Sequence, residues 1–425
     1  MAEKSSPPLP LDQVAQGSKN QHPRLKMQEL DYRLFDADNH FYETEESFAR
    51  HLDPNLKERS VSWCEIDGVR RILVGKKLLD FVPNDSFDPV AKPGALDEWF
   101  RGKNSEGKPM MEYYMDMEPL PAAYVDRDVR LELLDEQEIE STFMFPTTAA
   151  GLEDALEDDI EALTGSFSAF NRWLDEDWGL NYKDRIFATP AITLADRDWA
   201  IAELNWALSR DARTIFIRPN PVKQPTGYRS LADPYYDPFW KLVNDTGITV
   251  SFHQADTVYQ SHTEYWIPKT VSSGLKFGEN PMGAVMHLRA ATGAISETLS
   301  ALICGGLFTR FPNLRVASVE NHADWVPSCL HRLNVAYGQM PWTFSEDPAE
   351  TFRRHIWIAP FQGEDFSALA SLIGVDRVLF ASDFPHPEGV AVPLSLLDDV
   401  ESFSSDDVRR IMRDNCKGLS QRRPI

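Results

Sequence analysis

Short apolar segments recur along most of this chain, and most of them are followed by a segment with helical spacing. Eight apolar segments qualify as core strands: 34–40, 142–145, 187–194, 214–218, 248–253, 314–320, 356–359 and 378–382. Near-continuous apolar strands that alternate with amphipathic helices are typical of a parallel sheet. Eight such units predict an α/β fold of the (β/α)8 TIM barrel type, whose active site lies at the carboxyl ends of the strands.

The intervening segments support this interpretation. In 199–208, 238–243 and 323–333 the apolar residues fall on one side of a helix. The alternative is an open, doubly wound sheet built from the same elements. Such sheets usually bind a dinucleotide at a glycine-rich turn, and no Gly-x-Gly-x-x-Gly motif follows the first strand. The closed barrel is therefore favoured.

The chain divides into a tail and one large domain. Residues 1–30 are rich in Pro, Ser, Gln, Lys and Asn without a period, which predicts a flexible N-terminal tail. Residues 31–425 would form the barrel domain, with insertions at about 60–125 and 254–293. A chain of 425 residues, 42% of them hydrophobic, is large enough to bury the core of such a barrel.

The two insertions have different characters. The first begins with a small β-ribbon, because Asp67 and Gly68 have the sequence of a tight turn between two strand-like segments. The second is too long for a bare connection between a strand and a helix, which predicts a long lid loop or a wall of the substrate pocket. It contains Tyr259 and Trp266, which we expect to contact the substrate.

Composition excludes several classes of partner. The formal charge is −23, which disfavours nucleic acid because phosphate binding needs a basic face. No apolar run reaches membrane-spanning length and no apolar leader is visible, so we expect a cytoplasmic protein without membrane contact. The cysteines show no CxxC spacing, which argues against a zinc ribbon or a disulfide framework. They are Cys64, Cys304, Cys329 and Cys416.

Side chains of the metal-ligating type stand where four of the predicted strands end. Asp38 and His40 are two positions apart on an extended segment, so both side chains face the same way. Carboxylates and imidazoles without a thiolate suit Zn, Mn or Fe. The sequence therefore predicts a site for one or two divalent ions at the barrel mouth. The candidate ligands are Asp38, His40, Glu43, His253, Glu320, His322 and Asp383.

Each of these residues also has a structural interpretation. Asp38 or Asp383 could cap a helix, His253 could be a hydrogen-bonded core histidine, and Glu320 could pair with an arginine. Their coincidence at four strand ends, in the layer where barrel enzymes place their chemistry, favours the metal site. His386, just beyond Asp383, could contact a ligand or the substrate, or lie in a surface loop.

At these residues the chain resembles the amidohydrolase-related (amidohydrolase-2) family of the metal-dependent hydrolase superfamily. The matching segments are 36–40 with Glu43, 171–174, 311–321, 323–327 and 378–388. The resemblance implies an amidohydrolase-like (β/α)8 barrel with a metal at its mouth. It places the family's ligand pair on Asp38 and His40, the strand-five histidine on His253 and the strand-eight aspartate on Asp383.

The chain departs from the family pattern at three positions. Asp38 stands where the superfamily usually has His or Glu, Glu320 stands where decarboxylases often have a catalytic His, and His322 stands where many relatives have Gly. The result is a site unusually rich in carboxylates. The acid–base pattern that is usual for decarboxylases is therefore not clearly present.

Three functional hypotheses follow. The first is a metal-dependent lyase or hydrolase that decarboxylates a small organic acid or ester, or cleaves its C–C, C–O or C–N bond, with Glu320, His322 and Asp383 as catalytic groups. The second is a non-haem di-iron monooxygenase that hydroxylates a bulky apolar (terpenoid) carboxylic acid or thioester, because such an enzyme of terpenoid biosynthesis resembles this family. The third is a barrel that has lost its metal. We expect a small-molecule substrate and a homodimer.

Overall fold

The computed structural model describes residues 30–66, 69–75, 77–79, 87–254 and 283–422, and only the backbone of residues 69 and 283–292. The predicted tail and lid fall largely outside these ranges, as do the turn residues Asp67 and Gly68 and the predicted substrate contacts Tyr259 and Trp266. In the described part no helix is long and apolar enough to cross a membrane.

The strands of the described residues, numbered in chain order, form five sheets. They are β1 Leu34–Phe41, β2 Val61–Ile66, β3 Val69–Val74, β4 Lys77–Leu78, β5 Val90–Ala91, β6 Met117–Glu118, β7 Ile139–Pro146, β8 Ile186–Ala188, β9 Thr214–Ile217, β10 Val222–Gln224, β11 Gly227–Arg229, β12 Thr249–His253, β13 Arg315–Val319 and β14 Ile356–Ile358.

From β7 onwards, at least one of the described helices separates each parallel barrel strand from the next. They are α1 Asp97–Phe100, α2 Met110–Tyr114, α3 Arg127–Glu136, α4 Leu152–Leu156, α5 Ile160–Asp177, α6 Arg197–Ser209, α7 Asp237–Thr246, α8 Gly283–Cys304, α9 Leu307–Arg310, α10 Val326–Gln339, α11 Pro348–His355, α12 Phe366–Ile373, α13 Ser405–Arg409 and α14 Asn415–Leu419. Shorter 3-10 turns cover Pro54–Leu56, Ala122–Tyr124, Ala149–Gly151, Pro234–Tyr236, Pro341–Thr343, Val375–Arg377 and Pro393–Val400, and Arg410–Asp414 is a π-helical turn.

The parallel strands close into a barrel. One sheet runs β1-β7-β8 and another runs β9-β12-β13-β14. Three isolated parallel bridges join the two sheets and add an eighth strand between β14 and β1: Ala191 to Phe216, Ile358 to Val378, and Asn39 to Phe384. The (β/α)8 barrel predicted from the sequence is thus confirmed, and its first and last strands are neighbours.

Strand β8, the third strand of the barrel, is shorter than predicted. It ends at Ala188, whereas the apolar pattern extends to residue 194. Pro190 has no N–H to donate to a ladder. The side chain of Asn171 takes over the pairing, because its amide accepts from the Ala191 N–H and donates to the Ala191 carbonyl, both at 2.9 Å.

The eighth strand forms no regular ladder. Residues 378–382 are extended and connect to their neighbours at single points, with Leu379 donating to the Ile358 carbonyl at 2.8 Å and Ala37 donating to the Phe380 carbonyl at 2.9 Å. Asp383 then adopts φ 55°, which turns the chain out of the sheet. The predicted strand is therefore present in position but irregular in pairing.

The first insertion lies against the barrel mouth. The antiparallel ribbon predicted around residues 60–82 is present as β2-β3-β4. Further along, the turn before α1 is tied to the loop after the eighth strand, since Gly94 donates to the His386 carbonyl at 3.2 Å and Leu96 donates to the Pro387 carbonyl at 2.7 Å. The insertion therefore forms part of the wall around the carboxyl ends of the strands.

Candidate metal centre

Six side chains from four strand ends converge at the mouth of the barrel. They form two overlapping groups of possible metal donors, and within each group the donor atoms all lie within 4.8 Å of one another. The two groups share His40 and Glu320. The first group adds Asp38 and His253, and the second adds Asp383 and His386.

His40 lies at the centre of the cluster. Its Nε2 atom is 3.2 Å from Asp38 Oδ1, 3.3 Å from Asp383 Oδ1 and 3.9 Å from Glu320 Oε2. Asp38 and His40 reach the same point because they are separated by one residue on the fully buried strand β1. This is the arrangement that the sequence predicted for the pair.

His253 approaches from the opposite side of the barrel, at the end of β12. Its Nε2 atom is 3.0 Å from Glu320 Oε2, 3.4 Å from Asp38 Oδ1 and 3.3 Å from His40 Nε2. Its Nδ1 atom lies 2.9 Å from the Gln254 carbonyl, which can only accept a hydrogen bond. The ring proton is therefore assigned to Nδ1, so that Nε2 presents a lone pair to the cluster.

Three residues of the mouth have left-handed backbone conformations that side chains other than glycine rarely adopt. Glu320 has φ 56°, His322 has φ 54° and Asp383 has φ 55°. Each such residue costs on the order of 1–3 kcal/mol and persists only where its surroundings hold it. The amide of Asn321 donates to the carbonyls of Phe252 and Val319, which fixes the turn that aims Glu320 at the cluster.

Asp36 joins the first strand to the last. Its Oδ1 accepts from the backbone N–H of Asp38 at 3.1 Å and of Ser382 at 3.0 Å. Its Oδ2 accepts from the Asn39 amide at 3.1 Å and from the Ser382 hydroxyl. These bonds set the spacing between the two strand ends that carry Asp38 and Asp383.

Several buried donor atoms of the cluster have no hydrogen-bond partner. They include both carboxylate oxygens of Asp383, Oδ1 of Asp38 and Nδ1 of His386. A buried polar atom without a partner is costly, and more so when it is charged. Carboxylate oxygens and imidazole nitrogens are ligands of Zn, Mn and Fe. The residues therefore fit a divalent metal ion.

His386 reinforces this conclusion. The hydroxyl of Thr147 donates its one proton to the Phe41 carbonyl at 2.9 Å, so it accepts from His386 Nε2 at 3.0 Å. Nδ1 of the same ring then carries a lone pair, yet it lies 2.9 Å from Asp383 Oδ1. Two lone pairs at this distance repel each other unless a proton or a cation lies between them.

The pKa values follow the crowding of charge. Burial raises the pKa of Asp383 well above its usual value, and the carboxylates of Glu320, Glu388 and Asp38 raise it further. Burial also opposes ionisation of Asp38, but the nearby His253 and His40 outweigh it and lower the pKa of Asp38. Burial lowers the pKa of His386 well below its usual value, as does His40. A bound cation would stabilise the ionised form of these carboxylates.

Two predicted ligands lie apart from the cluster. Glu43 Oε1 accepts from the backbone N–H groups of Thr148 at 2.8 Å and Ala149 at 3.0 Å, and burial raises the pKa of Glu43 to about 7. His322 belongs to neither group of converging donors, and its Nδ1 atom lies 3.9 Å from Glu364 Oε1. The structure thus places neither with the six converging side chains.

His322 lines a separate cleft of about 430 Å³ beside the cluster. The ring of Phe361 packs on the imidazole with centroids 4.8 Å apart, and Phe100 and Arg101 from the insertion form the opposite wall. Burial lowers the pKa of His322, so the ring is neutral near neutral pH. His322 follows Glu320, a residue of the cluster, by two positions in the chain.

The sequence interpretation did not single out several residues that shape the site. Arg130 is buried beneath it, donates to the His40 carbonyl and lies 5.4 Å from the rings of both Tyr124 and Phe384. Thr147 directly follows β7 and Arg218 directly follows β9, and the sequence placed both at or near the ends of the predicted strands 142–145 and 214–218, which was a usable signal. For Arg130, which lies on helix α3, the sequence offered no such signal.

Comparison with known proteins gives consistent matches. The family model described as Amidohydrolase matches residues 115–417. The chain is 40% identical to an amidohydrolase of known structure from Mycobacterium avium subsp. paratuberculosis K-10, over 92% of this chain and 100% of that one, with a TM-score of 0.86.

Two more distant matches are decarboxylases, one of them a solved structure with the same barrel. A dihydroxybenzoic acid decarboxylase from Polaromonas sp. JS666, with bound manganese and an inhibitor, is 15% identical with a TM-score of 0.57, over 92% of this chain and 97% of that one. A 2-amino-3-carboxymuconate-6-semialdehyde decarboxylase from Dictyostelium discoideum is 23% identical over 196 residues. That match spans 44% of this chain and about half of the relative, 48%.

Proposed function

The chain belongs to the amidohydrolase family, and from that premise we propose that it decarboxylates or hydrolyses a small organic acid or ester with the help of a divalent metal ion. The observation that carries the proposal is the convergence of Asp38, His40, His253, Glu320 and Asp383 at the barrel mouth, with buried donor atoms that lack partners. The decarboxylases among its relatives support cleavage of a C–C bond as the reaction.

We assign the ligands from the geometry. Asp38, His40, His253 and Asp383 would hold the metal, and His386 would complete the shell through Nδ1. When bound there, a divalent ion would polarise a carboxylate or carbonyl group of the substrate, or lower the pKa of a bound water. Asp36 and Thr147 would hold the ligands in place, since they bond to the strand end of Asp383 and to His386.

Glu320 is the group that we propose to move the proton. Its side chain is 14% exposed, whereas those of Asp38 and Asp383 are 1% and 4% exposed, so Glu320 is the carboxylate of the cluster that faces an incoming substrate. Its Oε2 atom lies 3.0 Å from His253 Nε2, which keeps the carboxylate beside the proposed ligands. His322 could exchange a proton only with a substrate that extends into its cleft.

A second candidate function is the di-iron monooxygenase. It is favoured by one observation, namely that the donors form two overlapping groups with three carboxylates and three imidazoles in total. One tetrahedral or five-coordinate ion needs fewer ligands than this. The substrate would then be a bulky apolar acid or thioester. A small-molecule substrate, one barrel domain over residues 31–425 and a homodimer remain predictions for both candidates.

The experiment that separates the candidates is metal analysis of protein purified without added metal, combined with an activity panel. We expect about one Zn or Mn per chain, a featureless absorption spectrum and release of CO2 from a panel of aromatic acids. Two Fe per chain with consumption of O2 would instead support the monooxygenase. Absence of bound metal after reconstitution with Zn, Mn and Fe would refute both.

Two variants serve as matched controls for this measurement. His253→Gln removes a candidate ligand and should lower the metal content and the activity together. His51→Gln removes an imidazole that pairs with Glu176 and with none of the cluster residues. It should change neither the metal content nor the activity. Equal metal content in the two variants would contradict the ligand assignment.

A further inference from the structure

Arg218 stands at the end of β9, the strand next to the one that carries the donor His253. It follows β9 directly, and β9 pairs in parallel with β12 in a register that opposes Ile217 to Phe252. The next pair in this register is Arg218 and His253. Counted around the closed barrel, β9 is the fourth strand and lies opposite the eighth, which ends at Asp383.

The side chain of Arg218 belongs to the inner face of the barrel. Side chains two residues apart on a strand share a face. Thr214 and Ser251 join their hydroxyls at 2.8 Å, and the Phe216 ring lies 6.2 Å from the ring of His253, so both strands turn these residues inwards. Arg218 continues the row of Thr214 and Phe216 at the open end.

The guanidinium group is almost buried and poorly satisfied. The side chain of Arg218 is 6% exposed, and its Nε atom has no hydrogen-bond partner. It donates to Asp154 Oδ1 at a long 3.3 Å, Asp154 is itself partly exposed, and the carboxylate of Glu153 adds a negative charge nearby without a hydrogen bond to the guanidinium. A buried cation with five donors needs more acceptors than this. A ligand carboxylate would supply them in the planar, two-pronged geometry that arginine favours.

The floor next to Arg218 is apolar. The rings of Phe145 and Phe216 are buried and pack on His253, with centroids 4.7 Å and 6.2 Å from its ring. A ligand held at Arg218 would therefore lay an apolar or aromatic body over these rings on its way to the metal donors. A neutral ligand would leave the guanidinium with only the long bond to Asp154.

We propose that Arg218 anchors a carboxylate of the substrate, and that the substrate is an acid with an apolar or aromatic body whose reacting group lies at the cluster of His40 and Asp383. This inference rests on the proposed function and deepens it, because it selects organic acids over neutral esters and lactones. Asp154 holds the guanidinium in place until the substrate carboxylate binds.

The test is equilibrium binding of benzoate and of benzamide, its neutral counterpart, to the metal-loaded full-length chain by titration calorimetry. Arg218→Met should weaken benzoate binding on the order of tenfold to a hundredfold and leave benzamide unchanged, because hydrogen bonds to a charged group are lost. Arg218→Lys should retain part of the affinity. Arg197→Met, which removes an arginine on the surface of α6, should bind benzoate as the unmodified protein does.

The inference is overturned if Arg218→Met binds benzoate normally, or if it weakens benzoate and benzamide equally. Should that variant fail to fold, the variants Arg218→Lys and Asp154→Asn decide whether Arg218 anchors the carboxylate. Asp154→Asn removes the competing carboxylate and should tighten benzoate binding, and unchanged affinity in both variants would refute the anchor. Repeating the titration on chelator-treated protein separates the two proposals, because loss of the metal leaves the dependence on Arg218 intact.

Discussion

Asp383 illustrates how strongly individual residues of the site depend on their surroundings. Both of its carboxylate oxygens are buried without a hydrogen-bond donor, and its backbone is left-handed at φ 55°. Neither property follows from an intrinsic preference of aspartate. Its amide donates to the Asp38 carbonyl at 3.0 Å, and this bond to the first strand fixes the position of the carboxylate.

Replacing Asp383 by Asn tests its role as a ligand without changing its shape. Asparagine tolerates a left-handed backbone, so we expect the fold to persist while metal affinity falls at least about tenfold, since a neutral amide is a weaker ligand for a divalent ion. Bound metal per chain and a melting curve measure the two effects. Asp376→Asn, at an exposed carboxylate, should alter neither. Full metal content in Asp383→Asn would contradict the assignment.

Glu43 should reveal itself in the pH dependence of stability. Burial raises the pKa of Glu43 to about 7, so the folded state holds its proton more tightly than the unfolded state. Stability is then highest below the unfolded value near 4.5 and decreases as the pH rises through about 7. In chelator-treated protein, we expect the unmodified chain to lose on the order of 2 kcal/mol relative to Glu43→Gln between pH 5 and pH 7.

Urea unfolding of both proteins across that pH range provides the measurement. Glu65→Gln, at an exposed position of β2, should reproduce the pH profile of the unmodified chain. A parallel profile for Glu43→Gln would show that Glu43 does not hold its proton in the folded state.

At the scale of elements, the eighth strand depends on a close approach of the loop that follows it. A Cβ atom on Gly389 would lie 2.5 Å from the Asp383 carbonyl oxygen and 2.6 Å from that of Ser382. Real Cβ atoms do not approach backbone oxygens this closely. Glycine is thus required for the loop to fold back over the strand end that carries Asp383.

Gly389→Ala should therefore displace the strand end. We expect a loss of about 1–3 kcal/mol in stability, as in other overpacked sites, together with a lower metal content. Gly338→Ala is the matched control, because its Cβ would meet no atom within 4 Å on helix α10. That change should stabilise the chain by about 0.5–1 kcal/mol. Equal stability of the two variants would refute the argument.

The elements that the sequence predicted correctly are those with a strong apolar period. Strands β7, β9, β12 and β13 lie within a few residues of their predicted bounds, because their burial on both faces demands uninterrupted apolar side chains. Helix α10 begins at Val326 rather than at residue 323, since Pro327 favours the first turn of a helix. The irregular eighth strand could not be predicted, because it depends on bonds from Asp36 and Asp38.

The site was predictable to the extent that it follows strand ends. Asp38, His40, His253, Glu320 and Asp383 converge as expected. The sequence did not show that Glu43 and His322 lie apart from the cluster, because each position depends on a tertiary contact. Glu43 accepts from the backbone N–H of Thr148, and His322 packs on the ring of Phe361. Arg218 was overlooked because its significance comes from its register with His253 and from its missing partners.

At the scale of the molecule, metal binding and folding should be coupled. The donors come from strands that are far apart in the sequence, so the unfolded chain holds no preformed site. A ligand that binds only the folded state adds about 2.7 kcal/mol at a concentration one hundred times its Kd. We therefore expect removal of the metal by a chelator to lower Tm by on the order of 3–5 °C.

Differential scanning calorimetry with and without chelator measures this shift. His253→Gln supplies the control, since a chain that has lost a ligand should melt at the same temperature in both conditions. A chelator effect of equal size in that variant would indicate that the ion stabilises the protein from another position.

The pairing of the first barrel strand with the last also determines when, during synthesis of the chain, the donor cluster can form. Asp38 and Asp383 are neighbours in space, joined through the Asp383 N–H and the Asp38 carbonyl, but 345 positions apart in the chain (383 minus 38). At a synthesis rate of 5–20 residues per second, roughly 20 to 70 s pass between the emergence of the two. Throughout that interval the growing chain lacks the strand end that carries Asp383, so the cluster of possible donors stays incomplete until the last strand has been made.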